Sequence, residues 1–598
     1  MGRLSQLWTT AIVSFLALKA AIAEPILLVP RATPTIDLGY SIYEGAYDAK
    51  SGVNAFKGIR YAAPPLGKLR WAAPQAPRTN RTSTIPATSY GPVCPQTGIS
   101  SETPDEYGFL SGPGNEDCLF LNVFAPANAR NLPVFFWIHG GGYALFTSAG
   151  LDPSEFMGTN KNGFVSVTIN YRLGAFGFLA GDDVKQDGAL NAGLLDMNFA
   201  LQWVQKYISK FGGDPSRVTV AGESAGGAAV MYQAMAYGGK QDKTLFSNII
   251  TASPWIPNQY KYNDKTPVKA YDDFAEAAGC SEAPDTLACL RAAESSVLQT
   301  ASQQVSEAGP FGTFAFLPVT DGTFVRKRPT EQLFAKAVKG KRILSSNLAN
   351  EGVPLSPPTS KTLAAFRDYI DITFPHFTAK DKAALESQYS YEGDDQDTDQ
   401  STPLFDTPGT STAYTAINQS IHATGQQQRL FNVFAEYAFD CPSYWLASAF
   451  PQAWKYQFSV PPSYHGYDLN ALWSNPATTT PGRDFIRAFQ LIWGSFIMHN
   501  TPVIRVEDAK GKPNATVPVG AFGNIHWPQW TERSKVFMSL NTTGGVPVRM
   551  TPTENLQYDV YTDPGVTNVF KLADGRSWEG GRGERCEWWG RMAAKVPY

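Results

Sequence analysis

Val218-Thr219-Val220-Ala221-Gly222-Glu223-Ser224-Ala225-Gly226-Gly227 reads as a short β-strand, a sharp turn that carries a serine, and the start of a helix. Val218 and Val220 alternate with Thr219 as strand residues do. Ala228, Ala229, Val230, Met231 and Ala234 suit a buried helix. Between the two, Gly222-Glu223-Ser224-Ala225-Gly226 matches G-x-S-x-G, the nucleophile-elbow pattern. A serine on so tight a turn needs neighbours without side chains two positions before and after it. The turn lifts the Ser224 hydroxyl clear of the sheet, and the helix that follows brings backbone N–H groups and partial positive charge to the same point. A small-residue strand-to-helix connection is the bland alternative. The order of strand, elbow and helix separates the two.

Upstream, Leu132-Pro133-Val134-Phe135-Phe136-Trp137-Ile138 leads into His139-Gly140-Gly141-Gly142-Tyr143. Val134 to Ile138 is continuously apolar, as expected of a strand buried on both faces of a parallel sheet. The H-G-G-G run after it is of the kind that aims backbone N–H groups at one oxygen. The N–H groups of Gly141, Gly142 and Ala225 are the expected oxyanion donors. Loss of one such donor typically costs about 3–4 kcal/mol of transition-state stabilisation.

Taken together, these runs make the chain resemble the type-B carboxylesterase/lipase family, which includes the cholinesterases and the fungal Geotrichum/Candida-type lipases. Further stretches carry the resemblance, in family order: Phe56 to Pro65, Glu116-Asp117-Cys118 to Val123, Asn170-Tyr171-Arg172-Leu173-Gly174, Asn191 to Asp196, and Phe211-Gly212-Gly213-Asp214-Pro215. The resemblance implies an α/β-hydrolase fold, a mostly parallel sheet flanked by helices with large insertions. It also implies a serine hydrolase of carboxylic esters that works through an acyl-enzyme.

In that fold the triad runs Ser, then Asp or Glu, then His. The chain has six histidines: His139, His376, His422, His465, His499 and His526. The family base lies in an H-G-x-[DE] run after a strand. Tyr456 to Val460 reads as that strand and His465-Gly466-Tyr467-Asp468 as the run, which makes His465 the expected base. His422, in a polar helical stretch, is the alternative. The family acid lies in N-x-x-E-G after a strand. Arg342 to Asn347 followed by Asn347-Leu348-Ala349-Asn350-Glu351-Gly352 makes Glu351 the expected acid. Asp321 is the runner-up and reads more like a β-turn residue. Glu223 matches a family glutamate, for which the resemblance implies an electrostatic role beside the serine.

The N-terminus has Arg3, the apolar stretch Ala11 to Leu18, and Ala21-Ile22-Ala23, an A-x-A site. Residues 1–23 read as a secretory signal peptide and 24–598 as one α/β-hydrolase domain. Length alone would suggest several domains, but no linker separates the triad candidates. The segment 392–400 reads as an exposed polar loop. No later run is apolar enough for a membrane span. A net charge of −3 without a dense basic patch argues against nucleic acid. No phosphate loop or metal-spaced His/Cys cluster appears, so neither cofactor nor metal is expected. Six cysteines in a secreted chain allow fifteen pairings. The family resemblance implies Cys94–Cys118 and Cys280–Cys289, and similarity to the cholinesterases implies Cys441–Cys586. Four sequons, at Asn80, Asn418, Asn514 and Asn541, fit a glycoprotein.

The Cys94–Cys118 loop bears on substrate. In cholinesterases it carries a tryptophan that stacks on choline, and none is present here. In the fungal lipases it is an amphipathic lid. Here Ile99, Tyr107, Phe109 and Leu110 are its larger apolar residues, among Gly, Pro, Ser and acids. The expected partner is therefore a small soluble ester, with an interfacial lipase as the alternative. A catalytically dead adhesion module is the reading from another class, and the intact Ser224, His465 and glycines argue against it.

Overall fold

The computed structural model describes residues 33–100, 112–241, 244–357, 360–390, 425–474, 480–553 and 556–596. Residues 1–23, the segment 392–400, Asn418, His422, Tyr107, Phe109 and Leu110 lie outside them.

Among the described residues the centre of the molecule is an eleven-stranded sheet. In chain order its strands are β1 Ala46–Asp48, β2 Val53–Arg60, β3 Phe120–Pro126, β4 Leu132–Ile138, β5 Val165–Ile169, β6 Gly213–Glu223, β7 Asn248–Ala252, β8 Arg342–Leu348, β9 Gln452–Phe458, β10 Val536–Thr543 and β11 Thr567–Asp574. The spatial order is β11-β10-β9-β8-β7-β6-β4-β5-β3-β2-β1. From β5 to β10 every pairing is parallel. Antiparallel strands complete both edges.

The continuous apolar runs have a direct cause. Val134, Phe136 and Ile138 of β4 enter one core, while Phe135 and Trp137 enter the core on the opposite face. Ile249 and Ile250 of β7, and Ile343 and Leu344 of β8, divide in the same way. A parallel strand covered on both faces cannot afford the polar alternation of a half-exposed one. Helices Ala192–Tyr207 and Ala225–Gly239 cover the first face, and Arg483–His499 covers the second.

The stretches that carry the family resemblance prove to be mutually paired. Arg172 forms a bidentate buried pair with Asp196, 2.7 Å at both contacts. Arg60 forms a half-exposed bidentate pair with Asp117, and Arg70, just beyond the Phe56 to Pro65 stretch, a buried one with Glu116. Cys94 is bonded to Cys118, Cys280 to Cys289 and Cys441 to Cys586.

Two expectations need correction. Asn541 sits inside β10 and is 4% exposed, with its side chain accepting from the Thr542 N–H. A strand residue packed this way cannot present a glycan, whereas Asn80 and Asn514 are exposed. Ile99, counted above among the apolar residues of the loop, is buried in the core. The base of that loop is clamped: Thr97 N–H donates to Ala144 O, Ser100 N–H to Thr313 O, and Gly312 N–H to Ser100 O. No helix among the described residues is long and apolar enough to cross a membrane.

Candidate active site

Parallel strands end in register. Ile138 of β4 lies beside Gly222 of β6, Glu223 beside Ala252 of β7, and Ala252 beside Ser346 of β8. The segments that leave these carboxyl ends gather where open α/β sheets bind ligands. His139 to Gly142, Ser224, Glu351 and His465 all lie there.

Ser224 follows β6 directly and has φ 59°, ψ −127°, a conformation few L-residues adopt. The glycines on either side make this turn possible. A Cβ on Gly222 would meet the Gly226 backbone at 2.4 Å, and one on Gly226 would meet Ile138 O at 2.3 Å. Gly140 is equally constrained, its missing Cβ lying 2.7 Å from Glu223 O. Ala225 then opens the helix Ala225–Gly239, and the first N–H groups of a helix have no acceptor within it. Gly141 (φ 94°) and Gly142 (φ 61°) take left-handed conformations in the turn after β4. A cavity of about 290 Å³ is lined by Gly141, Gly142, Ser224 and His465 together.

His465 and Glu351 are brought together by the loops that follow β8 and β9. Ala349 N–H donates to Ser463 Oγ at 3.0 Å, and Asn350 N–H donates to Ser463 O at 3.0 Å. Glu351 is wholly buried; its Oε1 accepts from the Leu348 N–H at 2.6 Å. Its Oε2 lies 2.7 Å from His465 Nδ1. That contact assigns the proton to Nδ1 and leaves Nε2 as the basic nitrogen. Nε2 has no hydrogen-bond partner among the described residues and lies 3.3 Å from Glu223 Oε1. Burial alone would lower the His465 pKa. The Glu223 charge, the bond to Glu351 and the charges of Glu351 and Asp468 outweigh it, so the imidazole sits above its ordinary value. Burial in turn lifts the Glu223 carboxyl to about 7, against the pull of His465 and with the repulsion of Glu351.

The other candidates are elsewhere. Asp321 binds the Thr323 and Val325 N–H groups and the Asn191 amide, so its carboxylate is spent on a turn. His139 is buried and stacked on Tyr171 at 4.5 Å. Burial pushes its imidazole down to about 4, and it stays neutral. His376, His499 and His526 are exposed.

Three features escaped the sequence reading. Phe439 packs on the His465 ring, 4.2 Å between centroids. It belongs to a π-helical turn, Glu436–Asp440, inserted between the helices Gly425–Ala435 and Cys441–Ala449. Glu436 within that turn is held by Arg585 at 2.6 Å and Arg582 at 3.4 Å, and accepts from the Tyr389 hydroxyl. Asp468 was visible in the H-G-x-[DE] run without a role. It is buried beside His465, and burial with the charges of Glu223 and Glu351 holds its carboxyl well above the usual range. The aromatic cavity walls Trp255, Phe314 and Phe434 had no local signal at all.

This geometry pairs a strained serine with a histidine oriented by a buried carboxylate, beside glycine N–H groups. Residues 33–558 match the model of the carboxylesterase family. The chain belongs to that family. It is 30% identical over 553 residues to Lipase 4 of Diutina rugosa, which covers 87% of this chain and 93% of that enzyme. It is 32% identical over 397 residues to carboxylesterase patB of Penicillium expansum, covering 58% of this chain and 70% of that one. Among solved structures, EstA of Aspergillus niger superposes with a TM-score of 0.73 at 27% identity, covering 95% of this chain and 99% of EstA. Like its family, the chain is a carboxylic ester hydrolase of the α/β-hydrolase fold. Fungal relatives include secreted lipases, among them secreted lipase 1 of Botryotinia fuckeliana at 35% identity over 347 residues, covering 53% of this chain and 60% of that enzyme.

Proposed function

We propose that this chain is a secreted, single-domain serine esterase acting on soluble carboxylic esters, with Ser224 as nucleophile, His465 as general base and Glu351 as its orienting acid. The observation that carries the reading is the 2.7 Å contact from Glu351 to His465 Nδ1, which leaves Nε2 without a hydrogen-bond partner among the described residues, and His465 lines the same cavity as Ser224. His465 Nε2 takes the Ser224 proton as Oγ attacks the ester carbonyl. Gly141, Gly142 and Ala225 N–H groups receive the oxyanion. His465⁺ gives its proton to the departing alcohol, and water deacylates the serine by the same route. Glu223, 3.3 Å from Nε2, stabilises the imidazolium. Residues 1–23 serve as the signal peptide.

Treating the secreted protein with a fluorophosphonate and mapping the adduct tests the nucleophile. Label is expected on Ser224. Ser224→Ala should abolish hydrolysis of p-nitrophenyl butyrate with Tm nearly unchanged, since the side chain sits in a strained turn and adds little packing. Residual activity above a few per cent would remove Ser224 from its role. An interfacial lipase is the second reading, supported by the lipases among the relatives.

A further inference from the structure

Lys455 lies within β9 and is completely buried. It is not among the residues that line the cavity at Ser224. Burying an amine is costly unless its donors are matched, and an apolar side chain of similar volume often serves stability as well or better. Packing alone therefore does not account for a lysine here.

Its donors are matched in a particular direction. Nζ donates to Asn347 Oδ1 and, at 2.7 Å, to Ser443 Oγ. The sheet register makes the first contact: Ser345 pairs with Lys455 and Asn347 with Gln457, so Lys455 and Asn347 are diagonal neighbours on one face of β8 and β9. From Asn347 the contacts run to the triad. Asn347 Nδ2 donates to Leu348 O at 2.9 Å and to Gln457 Oε1 at 3.2 Å. The Leu348 N–H donates to Glu351 Oε1 at 2.6 Å, and Glu351 Oε2 meets His465 Nδ1 at 2.7 Å. Lys455, Asn347, Leu348 and Glu351 are all buried, so bulk solvent does not compete for these links.

The groups around Nζ are the Tyr444 ring at 4.8 Å, the Phe537 ring at 5.8 Å, and the charges of Asp440, Arg582 and Glu351. Arg582 is itself paired with Glu436 and Asp440. Burial brings the Lys455 pKa well below the ordinary lysine value, with Arg582 acting in the same sense and Asp440 and Glu351 against it. Ammonium and amine alike carry the two N–H donors that Asn347 and Ser443 take up, so the chain holds in either state.

Resting on the triad reading above, we propose that Lys455 is a positioning residue for ester hydrolysis: by holding the Asn347 side chain it fixes the Leu348 N–H that seats Glu351, and so keeps His465 oriented.

The test compares Lys455→Met, which keeps most of the length and removes the donors, with Asn347→Ala and with the double variant, on p-nitrophenyl butyrate. In each, kcat is expected to fall about 10- to 100-fold, the scale that misplacing a catalytic group costs. KM should change little, because neither residue lines the cavity at Ser224. The bond to Glu351 is one of the influences that lift the His465 pKa. Loosening it should therefore move the acid limb of kcat/KM to lower pH, by about half a unit. Both residues act on one chain, so the double variant should lose no more than the worse single one. A limb that stays in place while kcat falls overturns the proposal, since general damage to the fold gives that result. A limb that moves up also overturns it, since Lys455 would then act on the imidazole by charge. Losses that multiply in the double variant overturn the shared chain. If Lys455→Met does not fold, Asn347→Ala carries the same shift, and an unmoved limb there overturns the proposal. If Glu351→Gln is crippled while Lys455→Met and Asn347→Ala keep the wild-type profile, the triad stands and this assignment alone falls. A Glu351→Gln variant with near wild-type kcat removes both.

Discussion

At the scale of single residues, the candidate site is a set of buried charges whose order of ionisation controls one imidazole. His465 must be neutral to accept the serine proton, so activity should rise with pH through its pKa. Because Glu223, Glu351 and Asp468 together lift that pKa above 6.5, the acid limb of kcat/KM should have its midpoint above 6.5. Glu223 is the largest of the raising influences. Glu223→Gln keeps the shape and removes the charge, so the limb should move to lower pH while the maximal rate falls through weaker stabilisation of imidazolium. Two pH–rate profiles with a soluble ester check this. A limb that stays in place or moves up contradicts the role given to Glu223. The acid is tested separately. An amide at Glu351 cannot stabilise imidazolium and permits the wrong tautomer, a loss of about 10⁴ in kcat in the serine-protease template. Glu351→Gln should approach that loss. Asp321→Asn should leave kcat within about tenfold, because Asp321 holds only the Thr323 to Val325 turn and Asn191. Comparable small losses in both would leave the triad without an acid.

At the scale of elements, what could be read in advance was whatever the backbone itself demands. The elbow glycines, the H-G-G-G turn and the strands before Ser224, Glu351 and His465 are local requirements; β4, β6 and β8 stand where strands are expected, while β9 begins four residues earlier, at Gln452, and ends at Phe458 rather than Val460. The aromatic residues around the site were invisible for the opposite reason. With 36 Phe and 14 Trp in the chain, only tertiary packing distinguishes Phe439, Trp255 or Phe314 from core residues. The sequon at Asn541 failed similarly, since three residues carry no information about strand burial. The π-helical turn Glu436–Asp440 also has no marker, for no Gly or Pro interrupts it. Its partners come from far along the chain: Arg582 and Arg585 on the helix Trp578–Met592 reach Glu436, and Cys586 on that helix is bonded to Cys441. This linkage predicts that the double variant Cys441→Ser/Cys586→Ser loses more than stability. Closing a loop of 145 residues is worth about 4–5 kcal/mol in the chain-entropy model, so a lower Tm is expected. Phe439 lies two residues before Cys441 and packs on His465, so kcat should fall as well, at temperatures where the variant remains folded. Calorimetry and kinetics on the same preparation check both. A lower Tm with unchanged kcat would show that the turn is held by its ion pairs alone.

At the scale of the whole molecule, the question is whether the site needs an oil surface to open. An interfacial lid exposes a large apolar face when it moves, and contact with oil must offset that exposure at about 25 cal/mol per Å². Two observations argue that no such step governs this enzyme. The cavity at Ser224 already exists, with about 290 Å³ of space, and Phe146 on its wall is 42% exposed. The first end of the Cys94–Cys118 loop is tied down, Ile99 by burial and Thr97 and Ser100 by backbone bonds to Ala144 after the oxyanion turn and to Thr313. An apolar residue already in the core cannot contribute to a face that oil would stabilise. The rate with tributyrin should therefore rise hyperbolically with dissolved ester and show no break at the solubility limit. Butyrylcholine should gain nothing over p-nitrophenyl butyrate, because the loop has no tryptophan for the cation. The measurement is initial rate against tributyrin concentration from well below to well above saturation, with choline and p-nitrophenyl esters run alongside. A steep rise on crossing saturation would mean that the open cavity is not the working state and would favour the lipase reading. A strong preference for butyrylcholine would require another aromatic cation site, and Trp255, 8% exposed on the cavity wall, is the first residue to substitute in that event.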